Sequence, residues 1–253
     1  MKYETNLQPL PFLAAGAGLT ALILRILLSI LGRDEKGLLL PAHPLALLLW
    51  VLTAAAALVI LLQIGKLGGS ARYQANFAPS RAASAGCFAM ALGVFLSLFL
   101  IRGTGLRLEL LRSLAGILAV PALVWVGVCR AKGLRPFFGL HALVCLYLTL
   151  HTICRYQSWS SQPQLLNFLF PMAGCVLMMV FSYCQTAFDV GLGQRRTQLG
   201  AGMLGAFFCF AAIAGLQDIP LYAAGGAWML TNLCSLTPQP RRRRSGEAGE
   251  EPA

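Results

Sequence analysis

HALVCLYLTLHTICRY, residues 141–156, sets two histidines, two cysteines, tyrosine and arginine into an otherwise apolar run. The reading of this stretch separates a metal or haem protein from a membrane helix with one polar face. His141 and His151 are ten residues apart, about 15 Å of rise and about 80° of rotation on an α-helix, so they cannot ligate one metal from one helix. The zinc-protease pattern, His at i and i+4 with a Glu, is absent. His43 is the only other histidine. A two-haem, four-histidine bundle is therefore excluded, and no cofactor is expected. His141 with Cys145 and His151 with Cys154 have the spacing of a thiol beside a base, but no orienting carboxylate lies in the segment. What remains is a stripe. Tyr147, His151 and then Cys154 or Arg155 follow at i, i+4, i+7 and i+8, one polar face on a helix that must turn toward the protein interior or a water-filled cavity.

The rest of the chain places this helix in a bilayer. Of 253 residues, 57% are hydrophobic and 11% charged, well below the roughly one quarter charged of soluble domains. The formal charge of +11 does not indicate nucleic acid. The basic residues sit between apolar runs, the pattern of a membrane protein facing anionic lipid. A span needs about 20 mostly apolar residues. Eight fit: 10–32, 44–65, 83–101, 106–129, 137–155, 164–188, 197–216 and 219–236. The first is longer than a signal-peptide core and lacks a cleavage site, so it reads as an uncleaved helix. The last division rests on LQDIP, residues 216–220, where Asp218 and Pro220 turn the chain.

Charge supports eight. With both termini on one side, that side holds 13 Lys and Arg: Lys2, Lys66, Arg72, Arg81, Arg130, Lys132, Arg135, Arg195, Arg196 and Arg241 to Arg244. The other holds five: Arg33, Lys36, Arg102, Arg107 and Arg155. Positive charge accumulates inside, which predicts a multi-pass cell-membrane protein with both termini cytoplasmic. Residues 1–236 form the membrane domain and 237–253 a disordered charged cytoplasmic tail. RYQANFAPSRAASAG after the second span and SYCQTAFDVGLGQRRTQLGAG at the end of the sixth share Tyr, Gln, Phe and a basic loop. Two related halves, 1–129 and 137–236, would place these at corresponding points; chance similarity is an equal explanation. Small residues one turn apart, Ala85, Ala89 and Gly93, then Ala201 with Gly205 and Ala211 with Gly215, predict close helix packing or a dimer face.

The eight cysteines show no metal-type spacing and read mainly as reduced packing residues. Nucleophile-elbow and P-loop signatures are absent. Embedded charge is concentrated toward one side. Arg25 lies in the outer part of the first span, and Glu109 and Arg112 share a face near the outer end of the fourth. Two readings follow. In one, Arg25, Glu109, Arg112, Tyr147, His151 and Arg155 converge on a basic outer-half pocket for an anionic small molecule or lipid. In the other, the arginines snorkel separately to the headgroups. The fold class is an all-α polytopic membrane bundle in the lipid bilayer. Function divides between a protein that binds or transports a small solute or lipid and a non-catalytic subunit meeting a protein partner through the 66–82 loop. An intramembrane enzyme using His151 or a cysteine is the least favoured.

Overall fold

The computed structural model describes residues 9–32, 43–65, 70–100, 106–159 and 165–238. The membrane loops carrying Arg33 to Lys36, Lys66 and Arg102, and the arginine-rich tail, lie outside the described residues. The helices are α1 (Pro9–Leu31), α2 (Pro44–Ile64), the short α3 (Tyr73–Asn76), α4 (Arg81–Leu100), α5 (Leu106–Lys132), α6 (Phe138–Trp159), α7 (Leu165–Asp189), α8 (Arg195–Ala212) and α9 (Ile219–Cys234). No strand occurs among the described residues, and one isolated bridge joins Phe77 to Leu236. Seven helices are long and apolar enough to cross a membrane. The eighth expected span is shorter than predicted: α9 has 16 residues, about 24 Å of rise.

Each long helix from α4 onward packs on the next, and α9 closes back on α4, making a ring of six. The first half-chain, 1–129, contributes α4 and α5 to it, and 137–236 contributes α6 to α9. Helix α1 lies against the back of α8, and α2 against α1 and α8. Leu47, Val51, Leu58, Leu92, Trp125, Leu146, Ile153 and Val176 are all exposed, a girdle of apolar side chains that water would not tolerate over such an area. The protein is an integral, multi-pass membrane protein whose lipid supplies the missing apolar partner.

Close approach of backbones fixes α9 in the ring. A Cβ on Gly93 would stand 2.5 Å from the Ala224 Cβ and 2.8 Å from the Pro220 carbonyl oxygen. Gly86 meets Thr231 and Trp228 two turns away. The tight face of α4 is thus Gly86, Met90 and Gly93; Ala85, expected there, is exposed. Gly205 meets Met229 as expected, whereas Gly215 faces open space beyond the end of α8. Helices α1 and α8 run parallel, with Gly18 against Phe207 and Arg25 against Ala211. The start of α1 and the end of α9 therefore share one end of the bundle, which also holds Arg195 and Thr237.

LQDIP is a turn and not a kink. A single 3₁₀ turn, Ile213–Gly215, ends α8, and Leu216 and Asp218 adopt positive φ of 55° and 51° before α9 starts at Ile219 with Pro220 in its first turn. Non-glycine residues reach this region only at a cost. Asp218 is the N-cap of α9, yet its side chain makes no capping bond. It is directed elsewhere.

Candidate functional site

The core of the ring is apolar in its middle, where Met90, Val94, Leu123, Val144, Leu148, Met178, Phe181, Trp228 and Met229 are buried together. Polar clusters lie at its two ends. The ends are distinguished here by Arg130 and Arg155.

At the Arg130 end, polar side chains tie chain segments together. Arg130 donates to Ser235 Oγ at 2.8 Å and to the Tyr73 hydroxyl at 3.5 Å, and its guanidinium lies 4.2 Å from the centre of the Phe77 ring. Burial pushes the Tyr73 phenol up, and the nearby Arg130 partly opposes this. Arg195 donates to Asn76 Oδ1 at 2.9 Å and to the Thr237 carbonyl at 2.8 Å. Asn76 Nδ2 in turn donates to the carbonyls of Ser70 and Arg72. His141 Nδ1 lies 2.5 Å from Asp189 Oδ2, and Arg135 donates to the Asp189 carbonyl. Part of the described stretch 70–82 is accordingly folded into the bundle: Tyr73, Asn76 and Phe77 are buried, while Arg72, Gln74 and Arg81 are exposed.

At the Arg155 end, five ring helices and the α8–α9 turn meet. Arg155 on α6 pairs with Asp218, and His151, one turn along α6, has Nε2 3.5 Å from the same carboxylate oxygen. Tyr147, a further turn along, shares a 2.5 Å hydrogen bond with Ser97 on α4. Cys175 on α7 stands beside His151, with Sγ 3.3 Å from the Tyr222 hydroxyl on α9. Arg112 enters from α5, near enough to Tyr147 and Arg155 to interact with their charges. It is 1% exposed, and its Nε and Nη1 have no hydrogen-bond partner among the described residues. Both His151 ring nitrogens and Asp218 Oδ1 likewise lack a hydrogen bond. Asp218 pairs with Arg155 and approaches His151, while Arg112 adds a second guanidinium close to Arg155.

Of the six residues singled out in the sequence, Arg112, Tyr147, His151 and Arg155 come together. Arg25 makes its hydrogen bond elsewhere: it is buried against α8, donating from Nη1 to the Ala211 carbonyl at 2.6 Å, with its guanidinium 4.7 Å from the Phe170 ring centre and near enough to Tyr222 to interact electrostatically. A cation at the carbonyl end of α8 is favourably placed against the helix dipole. Glu109 lies on a half-buried side of α5, one turn before the buried Arg112. Asp218 is the carboxylate that pairs with Arg155 in this cluster. Sequence reasoning assigned Asp218 only to the turn and passed over Cys175, Tyr222 and Ser97. Asp218 carried a signal, since a carboxylate at a membrane-helix border next to unpaired arginines needs a cationic partner. Cys175 and Ser97 carried none.

Trp159 Nε1 donates to Gln217 Oε1 at 3.1 Å and packs on Phe168, closing this end beside Arg155. All eight cysteines are free, and among the described residues no group of three or more His, Cys, Asp and Glu could hold a metal ion. No family model, curated protein or solved structure matches the chain.

Proposed function

We propose that the Arg155 end of the ring binds an anionic group, the phosphate-type headgroup of a lipid or a small anionic solute, and that the protein works as a binder or carrier of that molecule. The observation that carries this reading is Arg112. A guanidinium that is 1% exposed with two nitrogens unpartnered among the described residues bears a desolvation cost that a bound anion would offset. Planar guanidinium donors match carboxylate and phosphate oxygens. Arg155 lies nearby, and its one carboxylate partner, Asp218, leaves the cluster net positive. The charge asymmetry of the loops supports an outward orientation for this end.

Native mass spectrometry of protein extracted gently from its own membrane tests the reading. A bound anionic lipid or small anion retained by the wild type and lost in Arg112→Met is expected, and the mass of the adduct separates lipid from solute. Bare protein with an intact fold would overturn it. A second polypeptide in place of a ligand would move the account to a subunit docking through the exposed part of the 66–82 loop.

A further inference from the structure

We infer that Cys175, His151 and Asp218 form a thiol site acting on the ester carbonyl of an anionic glycerolipid held at the Arg155 end; this rests on the anion-binding reading above. Three observations converge. Cys175 and His151 come from neighbouring helices α7 and α6 and both reach the first turn of α9, Cys175 through the Tyr222 hydroxyl at 3.3 Å and His151 through Asp218 at 3.5 Å. All four are buried, and both nitrogens of His151 are without a hydrogen bond, although the ring is fully enclosed. A nucleophile, a base and a carboxylate that orients the base are the parts of a covalent acyl-transfer site, and such contacts tighten once substrate is present.

The third observation is depth. The charged pair Arg155–Asp218 lies at the rim of the cluster. His151 is one turn inward of Arg155 on α6, and Tyr222 one turn inward of Asp218 on α9, each about 6 Å. A glycerolipid has the same order, anionic phosphate first and ester carbonyls a few ångströms deeper. With its phosphate on Arg112 and Arg155, such a lipid brings an ester carbonyl to the level of Cys175.

The step balances without a redox partner. His151 takes the thiol proton, and the sulfur bonds to the ester carbonyl carbon. The Tyr222 hydroxyl is placed to donate to the carbonyl oxygen as it becomes negative. The carbon–oxygen bond to glycerol breaks, the departing oxygen takes the proton back from His151, and an acyl thioester remains on Cys175 with a lysophospholipid released. Water, deprotonated by His151, then cleaves the thioester to a fatty acid and restores the thiol.

The test uses the full chain in vesicles of phosphatidylglycerol carrying alkyne-tipped acyl chains, acid-quenched over time and mapped by peptide mass spectrometry. An acyl adduct on Cys175, released by neutral hydroxylamine and absent from Cys175→Ala, is expected. His151→Asn should slow its formation about 100-fold, as loss of a general base does. Native mass spectra of the same samples report bound phosphatidylglycerol. Lipid retained by the wild type with no adduct on Cys175 overturns the thiol step and leaves the anion-binding reading standing. No bound phosphatidylglycerol and no adduct overturns the lipid-ester site, and the anion-binding reading falls with it when the native spectra show no small anion either. Equal labelling in Cys175→Ala overturns the assignment to this thiol.

Discussion

Arg130 and Arg112 lie on the same helix, eighteen residues and about 27 Å apart, and they are used in opposite ways. At the Arg130 end, each buried guanidinium is joined to separate stretches of chain. Arg130 links Tyr73 to Ser235, and Arg195 links Asn76 to Thr237. These bonds seat the short helix α3 and the end of α9 against the ring, together with the Phe77–Leu236 bridge. Among the described residues Arg112 joins nothing comparable, and two of its nitrogens have no hydrogen-bond partner in an almost fully buried position. The same residue type is therefore a staple at one end and an unmet demand at the other. Burial alone does not separate the two, since both are almost fully buried; the tally of partners does.

Substituting one arginine from each end, Arg195 and Arg112, with the same apolar residue should separate the two roles. Arg195→Met leaves Asn76 Oδ1 and the Thr237 carbonyl without their charged donor, and should cost about 3 kcal/mol of stability, read as a lowered Tm in detergent. Arg112→Met removes a buried charge with unpartnered donors and should leave stability unchanged or raise it by about 1–2 kcal/mol. A loss of stability in Arg112→Met equal to that in Arg195→Met would erase the distinction.

Asp218→Asn sharpens the same comparison from the carboxylate side. Asn tolerates positive φ, so the turn should survive. The pairing with Arg155 weakens, with an expected cost of about 2 kcal/mol. The cluster becomes more basic, so retention of an anionic ligand in native mass spectra should increase. Reduced retention with the fold intact would show that Asp218 contributes to holding the ligand and not to balancing the site.

The smallest effect is expected one level inside the Arg130 end. Gly202 of α8 faces Phe181 of α7, so one turn toward that end Gln198 and Gln185 occupy the same level of neighbouring antiparallel helices. Both amides are buried without partners among the described residues. Replacing both with Leu should change Tm by the equivalent of about 1 kcal/mol or less, with a rise as the expected sign, since two unmet amides are exchanged for apolar groups. A large loss would reveal that these amides are satisfied in the membrane-embedded protein, and that this end also holds a ligand or water.

The bundle itself was legible from the chain. Long apolar runs with basic interruptions leave few alternatives to membrane helices, and hydropathy placed the borders of the long helices within a few residues, while the short α3 inside the 66–82 loop was not expected. The polar stripe Tyr147–His151–Arg155 was legible too, because helical periodicity needs no knowledge of neighbouring elements. What the chain could not supply was which partner each polar residue finds. Arg25 and Arg112 look alike in sequence, each an arginine in an apolar run. One lies behind α8 against the Ala211 carbonyl and the other enters the ring. That difference depends on the order of helices around the ring, where α1 is left outside and α5 is a member. Asp218 was hidden for a related reason. A residue before Ile-Pro at a helix start reads as a cap, and its side chain abandons the cap for Arg155 and His151 only because α6 ends beside the turn.

The most direct test of the account compares three native mass spectra recorded under one extraction protocol: wild type, Arg112→Met and Arg195→Met. An anionic adduct on the wild type and on whatever Arg195→Met remains folded, with none on a stable Arg112→Met, is the predicted result. An adduct that persists in Arg112→Met would contradict the central claim and return that arginine to a structural role.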